Sequence, residues 1–133
     1  MARYSRVKRD HGFGPPSGGS RLSEQDIDPL LRLTESSDPI ERQVALKNLC
    51  TCHVQADDDR VWAALLRMFN DEHPRVRREA LHALTDSTPA SRTQDVVHAL
   101  ERRYGGPDAS LRRRIRRTLS HYRRTGALTD APR

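Results

Sequence analysis

The chain is short of lysine, of cysteine and of long apolar runs, and each shortage excludes something. Of the 24 basic residues only Lys8 and Lys47 are lysine. An arginine excess suits phosphate or carboxylate recognition, but a GC-rich genome produces the same bias, so it decides nothing alone. The two cysteines, Cys50 and Cys52, have one residue between them, which is poor spacing for a disulfide on a helix. No disulfide framework is implied, and a reducing, cytoplasmic setting fits. The longest apolar run, "VWAALL" at 61–66, is far too short to cross a bilayer, so no membrane association is expected. The basic N-terminus carries no apolar stretch and does not read as a secretory signal. Apolar residues make up 35 % of the 133 and charged residues 32 %. That balance suits an extended helical structure with a thin core better than a compact globule.

What the chain does have is charge, unevenly spread. The formal net charge is +6. Residues 1–22 carry five Lys/Arg against one acid, residues 23–70 five against nine, and residues 71–133 fourteen against eight. A basic tail, an acidic middle and a basic C-terminal end bear on partners and association rather than on fold. The tail, "MARYSRVKRDHGFGPPSGGS", reads as a disordered basic arm over 1–22 with a flexible Gly/Pro/Ser linker. Arg3, Arg6, Lys8 and Arg9 are its candidate phosphate- or acid-binding residues.

A shift of 35 residues lays the chain on itself. "PIERQVALKNL" (39–49) falls on "PRVRREALHAL" (74–84), with Pro39, Arg42, Ala45, Leu46 and Leu49 meeting Pro74, Arg77, Ala80, Leu81 and Leu84. A second shift reaches "ASLRRRIRRTL" (109–119), where Leu111, Arg112, Ile115 and Leu119 meet Val76, Arg77, Ala80 and Leu84. The intervening segments keep the period: "VWAALLRMF" (61–69) falls on "VVHALERRY" (96–104), so that Phe69 meets Tyr104, and "DIDPLLRLT" (26–34) precedes both.

Each segment repeats its apolar residues at three- and four-residue steps, the signature of an amphipathic helix. Six helices are expected, at 23–35, 39–53, 58–70, 74–87, 91–104 and 109–124. Their starts are marked by Asp38-Pro39 with Glu41, by His73-Pro74, by the Asp57-Asp58-Asp59 run, and by Ser23/Asp26 and Ser91/Gln94, which resemble capping boxes. Gly105-Gly106 and Gly126 are the expected stops of the last two. Helix pairs of this length with short links form a short all-α solenoid of stacked antiparallel pairs, here over residues 23–124 with a tail at 125–133.

"DPIERQVALKNL" and "DEHPRVRREALHAL" resemble HEAT repeats, in particular the short bacterial HEAT-like type. That unit opens with an Asp-rich turn, then Val-Arg, then a small and a large apolar residue three to four positions on. The second unit matches closely, whereas the first has Glu41 in place of the valine. The third has Ile115 where a small residue is usual and Arg116 where leucine is usual, and it lacks its second helix. The resemblance implies that the arginine column Arg42, Arg77 and Arg112 is structural, bonding an acidic residue or a turn carbonyl of a neighbouring repeat; Asp38, Asp71 and Asp108 stand in the turns. It also implies that the second helices line a concave surface, which would carry Arg32, Arg67 and Arg102 as a ladder. Some HEAT-like relatives are enzymes, the alkylpurine DNA glycosylases and bilin lyases, but only the repeat is shared and none of their residues carries over.

The last helix, "SLRRRIRRTLSHYRR", has an inner stripe of Leu111, Ile115, Leu119 and Tyr122. Arg113, Arg114, Arg116, Arg117, Arg123 and Arg124 cover the rest. A terminal repeat needs a polar outer face, yet a cap needs no single sign. No phosphate loop, nucleophile elbow or His-Glu-x-x-His is present. "CTCH", with Cys50, Cys52 and His53, is the one metal-like cluster, weak because residues two apart point about 200° apart on a helix. It would need a further ligand such as His82. Trp62 and Phe69 fall on core positions. The sequence therefore predicts a non-enzymatic scaffold without cofactor or small-molecule substrate, binding an acidic protein surface through Arg32, Arg67 and Arg102. The alternative is a nucleic-acid binder that neutralises phosphates with the last helix and the arm.

Overall fold

The computed structural model describes residues 24–50, 57–86 and 88–128. Among them are six α-helices and one 3-10 turn: α1 (Glu24–Leu33), α2 (Pro39–Leu49), α3 (Asp59–Met68), α4 (Pro74–Thr85), the turn Ala90–Arg92, α5 (Thr93–Arg102) and α6 (Ala109–Thr125). The all-α solenoid-type fold expected from the period is what forms, with no strand among the described residues.

Three helix starts follow directly from local chemistry. Asp38 is extended and its carboxylate accepts from the Ile40 amide at 2.9 Å, while Pro39 occupies the first helical position. Asp58 does the same for the Arg60 amide at 2.8 Å. Asp108 caps α6 through the Leu111 amide at 3.1 Å. Each carboxylate satisfies an amide that has no partner within the helix and sits at the positive end of the helix dipole. Ahead of Pro74, Asp71 accepts from the His73 amide at 2.9 Å.

Some boundaries depart from expectation. Helix α2 ends at Leu49 rather than 53, because Cys50 turns extended with ψ 140. Helix α5 begins at Thr93, with Ser91 spent in the preceding 3-10 turn. The Ser91/Gln94 box does not cap it; the Gln94 amide instead donates to the Tyr122 hydroxyl at 3.2 Å. Ser23 of the other expected box lies outside the described residues. Gly105-Gly106 is not a left-handed stop: α5 ends at Arg102 and the only positive-φ glycine among the described residues is Gly126. There φ is 77 and the amide returns to the Tyr122 carbonyl at 2.7 Å, which closes α6.

The described residues cluster into two compact units that divide after Leu84. In the first, α1 packs on α2 and α3. Leu30, Val44, Leu46, Leu49, Val61, Trp62, Leu65, Phe69, Val76 and Leu84 are among its buried side chains, so Trp62 and Phe69 are packing residues as their repeat positions require. Each large apolar side chain removed from water in this way contributes about 1.5–3 kcal/mol. In the second, α5 packs on α6, and Val96, Leu100, Leu111, Ile115, Leu119 and Leu128 are buried.

Candidate functional site

The column Arg42, Arg77 and Arg112 makes one contact three times. In each case the guanidinium Nη1 donates to the carbonyl six residues back: Arg42 to Ser36 at 2.9 Å, Arg77 to Asp71 at 2.8 Å and Arg112 to Gly106 at 2.7 Å. The arginine reaches down from the first helix of a repeat and braces the turn that leads into it. The expected partner was a neighbouring repeat; the recurrent one is the arginine's own turn. Arg42 also reaches a carboxylate of the next repeat, with its Nε and Nη2 on the two Asp71 oxygens at 2.9 and 3.0 Å. Both side chains are about nine-tenths buried, and the fork geometry makes this a strong, directional pair. The position one period after Asp71 is Gly106, so the carboxylate is not repeated. Burial by itself would raise the Asp71 pKa, but the hydrogen bonds from Arg42 and the His73 amide outweigh it and hold the carboxyl below its ordinary value.

The second-helix arginines are at the surface. Arg32 and Arg67 lie on α1 and α3 of the first unit and Arg102 ends α5 of the second; all three are exposed. Arg67 donates to the Thr34 hydroxyl at 3.0 Å, across 33 residues. It stands at a shallow recess lined also by Glu35, Asn70, Asp71 and Glu72. A bare cationic ladder is therefore not what Arg67 offers, since Glu35 and Glu72 put negative charge around it. The period alone does not reveal those two carboxylates, because they stand in turns that only packing brings to the same recess. Elsewhere on the first unit, Arg60 is held by Asp58 and Asp28 at 2.9 and 2.8 Å. The Arg60 side chain, then outweighing partial burial, keeps the Asp58 carboxyl below its ordinary value.

The last helix is different. Helix α6 carries seven arginines and no acidic residue. Arg113, Arg114, Arg116, Arg117, Arg123 and Arg124 are all exposed. Among the described residues, the side chains of Arg113, Arg114, Arg117 and Arg123 have no hydrogen bond or ion pair. Arg124 has only a long bond to the Ser120 carbonyl at 3.4 Å. Arg116 lies over the ring of Tyr104, 4.7 Å from its centroid. Tyr104 is the large apolar side chain the repeat comparison assigns to the core, yet it is 40 % exposed where its counterpart Phe69 is 1 % exposed. The signal for it was in the sequence: Arg116 stands where the earlier repeats have buried leucines, Leu46 and Leu81.

Of the metal-like cluster, Cys52 and His53 lie outside the described residues, as do Arg3, Arg6, Lys8 and Arg9 of the arm. Cys50 is buried at the end of α2, and the structure brings His82 of α4 to it, with the ligand atoms of the two within 4.8 Å. Cys50 and His82 are two of the residue types that ligate structural zinc. Among the described residues no helix is long and apolar enough to cross a membrane.

Comparison with known proteins agrees with this architecture. The sequence profile of HEAT repeats matches residues 27–120, more than two thirds of the chain and most of the described helices. No curated protein matches it, and no solved structure does. With α2–α3 and α4–α5 as two repeats and α6 as the first helix of a third, the chain belongs to the HEAT-repeat family.

Proposed function

We propose that this protein is a non-enzymatic adaptor that docks a protein partner with an acidic surface through its second helices. HEAT repeats generally act as scaffolds for protein–protein interaction, and no catalytic motif stands in the sequence. The observation that carries the reading is the state of Arg32 and Arg102. Both are exposed and, among the described residues, neither guanidinium makes a hydrogen bond or ion pair. An arginine the fold does not employ is available to a carboxylate of another molecule. Arg67 is held by Thr34 beside Glu35 and Glu72, which suits a partner that sets a carboxylate on Arg67 and hydrogen-bond donors on the two glutamates. The mechanism is shape complementarity with charge steering. The test is affinity capture from the native host with nuclease present, comparing the wild type with the Arg32→Glu/Arg67→Glu/Arg102→Glu variant. The expected result is a retained protein that the variant loses; retention by both overturns the reading.

A further inference from the structure

The adaptor reading leaves the arginines of α6 and the exposed Tyr104 without a role. A repeat-by-repeat comparison shows why they belong together. Positions 69 and 81 of the first unit hold Phe69 and Leu81, 1 % and 3 % exposed. The same two positions one period later hold Tyr104 and Arg116, which form a stack at the surface. A solvated cap accounts for the arginine but not for an aromatic ring kept in the open beside it.

The arrangement around the stack is one-sided. At about 100° per residue, Arg113, Arg117 and Arg124 lie directly opposite the buried stripe of Leu111, Ile115 and Leu119. They form a ridge about 16 Å long. Arg116 and Arg123 lie on one flank of that ridge, the flank that meets Tyr104 through Arg116. On the same flank Arg112 is tied to the Gly106 carbonyl, two residues beyond Tyr104. Five exposed arginines thus fall within about 120° of helix surface, bordered by an aromatic ring and interrupted by no carboxylate of the helix itself.

We propose that this surface binds single-stranded nucleic acid: the ridge Arg113, Arg117 and Arg124 neutralises successive phosphates, and Tyr104, with Arg116 beside it, is the platform on which a base stacks. An acidic protein would be served by the arginines alone. The ring is what favours nucleic acid, because aromatic stacking tolerates any base and needs the base unpaired, which selects single strands over duplex. Arg116 can share the stack by its planar guanidinium.

The test is fluorescence anisotropy of the full chain with a 20-mer of oligo-uridine or oligo-thymidine, and with a duplex of equal length, at salt from about 50 mM upwards. The wild type is expected to bind the single strand, with affinity falling log-linearly as salt rises. Arg113→Gln/Arg117→Gln/Arg124→Gln should reduce that slope by about 2, at about 0.7 per phosphate contact. Tyr104→Ala should weaken single-strand binding at least about fivefold while leaving duplex binding unchanged, and Tyr104→Phe should retain it. Circular dichroism of each variant checks that the helices are intact. Absence of binding at about 50 mM salt overturns the proposal, as does a Tyr104→Ala variant that binds single strand as the wild type does, or one that loses single strand and duplex equally. If polyglutamate displaces the oligonucleotide as well as an unlabelled strand does, and Tyr104 has no effect, the partner of this face is an acidic protein and the proposal fails.

Discussion

The two halves of the chain use the same residue for different ends. Residues 1–84 hold thirteen Lys/Arg and thirteen Asp/Glu, whereas residues 85–133 hold eleven and five. In the first unit Arg42 and Arg60 are engaged with carboxylates and Arg67 with a hydroxyl. In the second unit Arg112 braces its turn, and the side chains of four arginines of α6 have no hydrogen bond or ion pair among the described residues. The brace six residues back is common to both units and marks what the repeat itself demands. Whatever arginine remains after that brace is subtracted, and after carboxylates are matched, is not explained by folding. By that reckoning the first unit is balanced in net charge and leaves Arg32 over, whereas the second carries surplus positive charge on a single helix.

The largest effect should come from exchanging the units' chemistry at one repeat position. Leu81→Arg places an unpaired guanidinium in a site 3 % exposed, and its cost should exceed about 5 kcal/mol, enough to unfold a marginally stable domain. Arg116→Leu, one period later and exposed, should stay within about 0.5 kcal/mol of wild type. Urea unfolding of both variants checks this, and similar losses in the two would end the claim that the units differ. Next in size is the brace. Arg42→Ala leaves Asp71 as a nine-tenths buried, uncompensated carboxylate and should cost about 3–5 kcal/mol. Arg112→Ala removes a carbonyl contact from a half-exposed side chain and should cost about 1 kcal/mol. Thermal melts of the pair would sharpen the comparison, and equal shifts would refute it.

The smallest effect is in acid. Because the folded Asp71 carboxyl titrates below its ordinary value, its contribution is fully present above about pH 4 and is lost as pH falls through the folded value. Asp71→Asn should therefore lower stability at neutral pH and flatten the acid limb of the stability–pH curve, read by urea midpoints between pH 7 and pH 2. A variant whose acid limb keeps the wild-type steepness would show that the Arg42–Asp71 pair is not what titrates.

Much of the fold was legible because its causes are local. Asp38, Asp58 and Pro74 start helices through bonds and dihedrals that span two or three residues, and the apolar spacing of "VWAALLRM" needs no information from elsewhere. Helix ends were less legible. The apolar count runs past Cys50 without a break, and Ser91 looks like a cap until the 3-10 turn at Ala90–Arg92 displaces the start to Thr93. Gly105-Gly106 read as the stop of the fifth helix, which ends at Arg102; the turn there closes through the Gly106 amide and the Arg103 carbonyl at 3.1 Å without positive φ.

The sequence by itself determined the 35-residue period, the helical class, the recurrence of an arginine at positions 42, 77 and 112 and the excess of arginine in the last helix. Periodicity and capping are short-range, and charge is additive along a chain, so each can be read without coordinates. Only the tertiary structure decided which arginines are engaged. Arg42 finds Asp71 across 29 residues and Arg67 finds Thr34 across 33, and neither pairing follows from spacing. Tyr104 and Arg116 show the same limit from the other side. The period predicts burial for position 104, and packing leaves its ring in the open against Arg116, because burial depends on which neighbours cover a side chain and not on its place in the repeat.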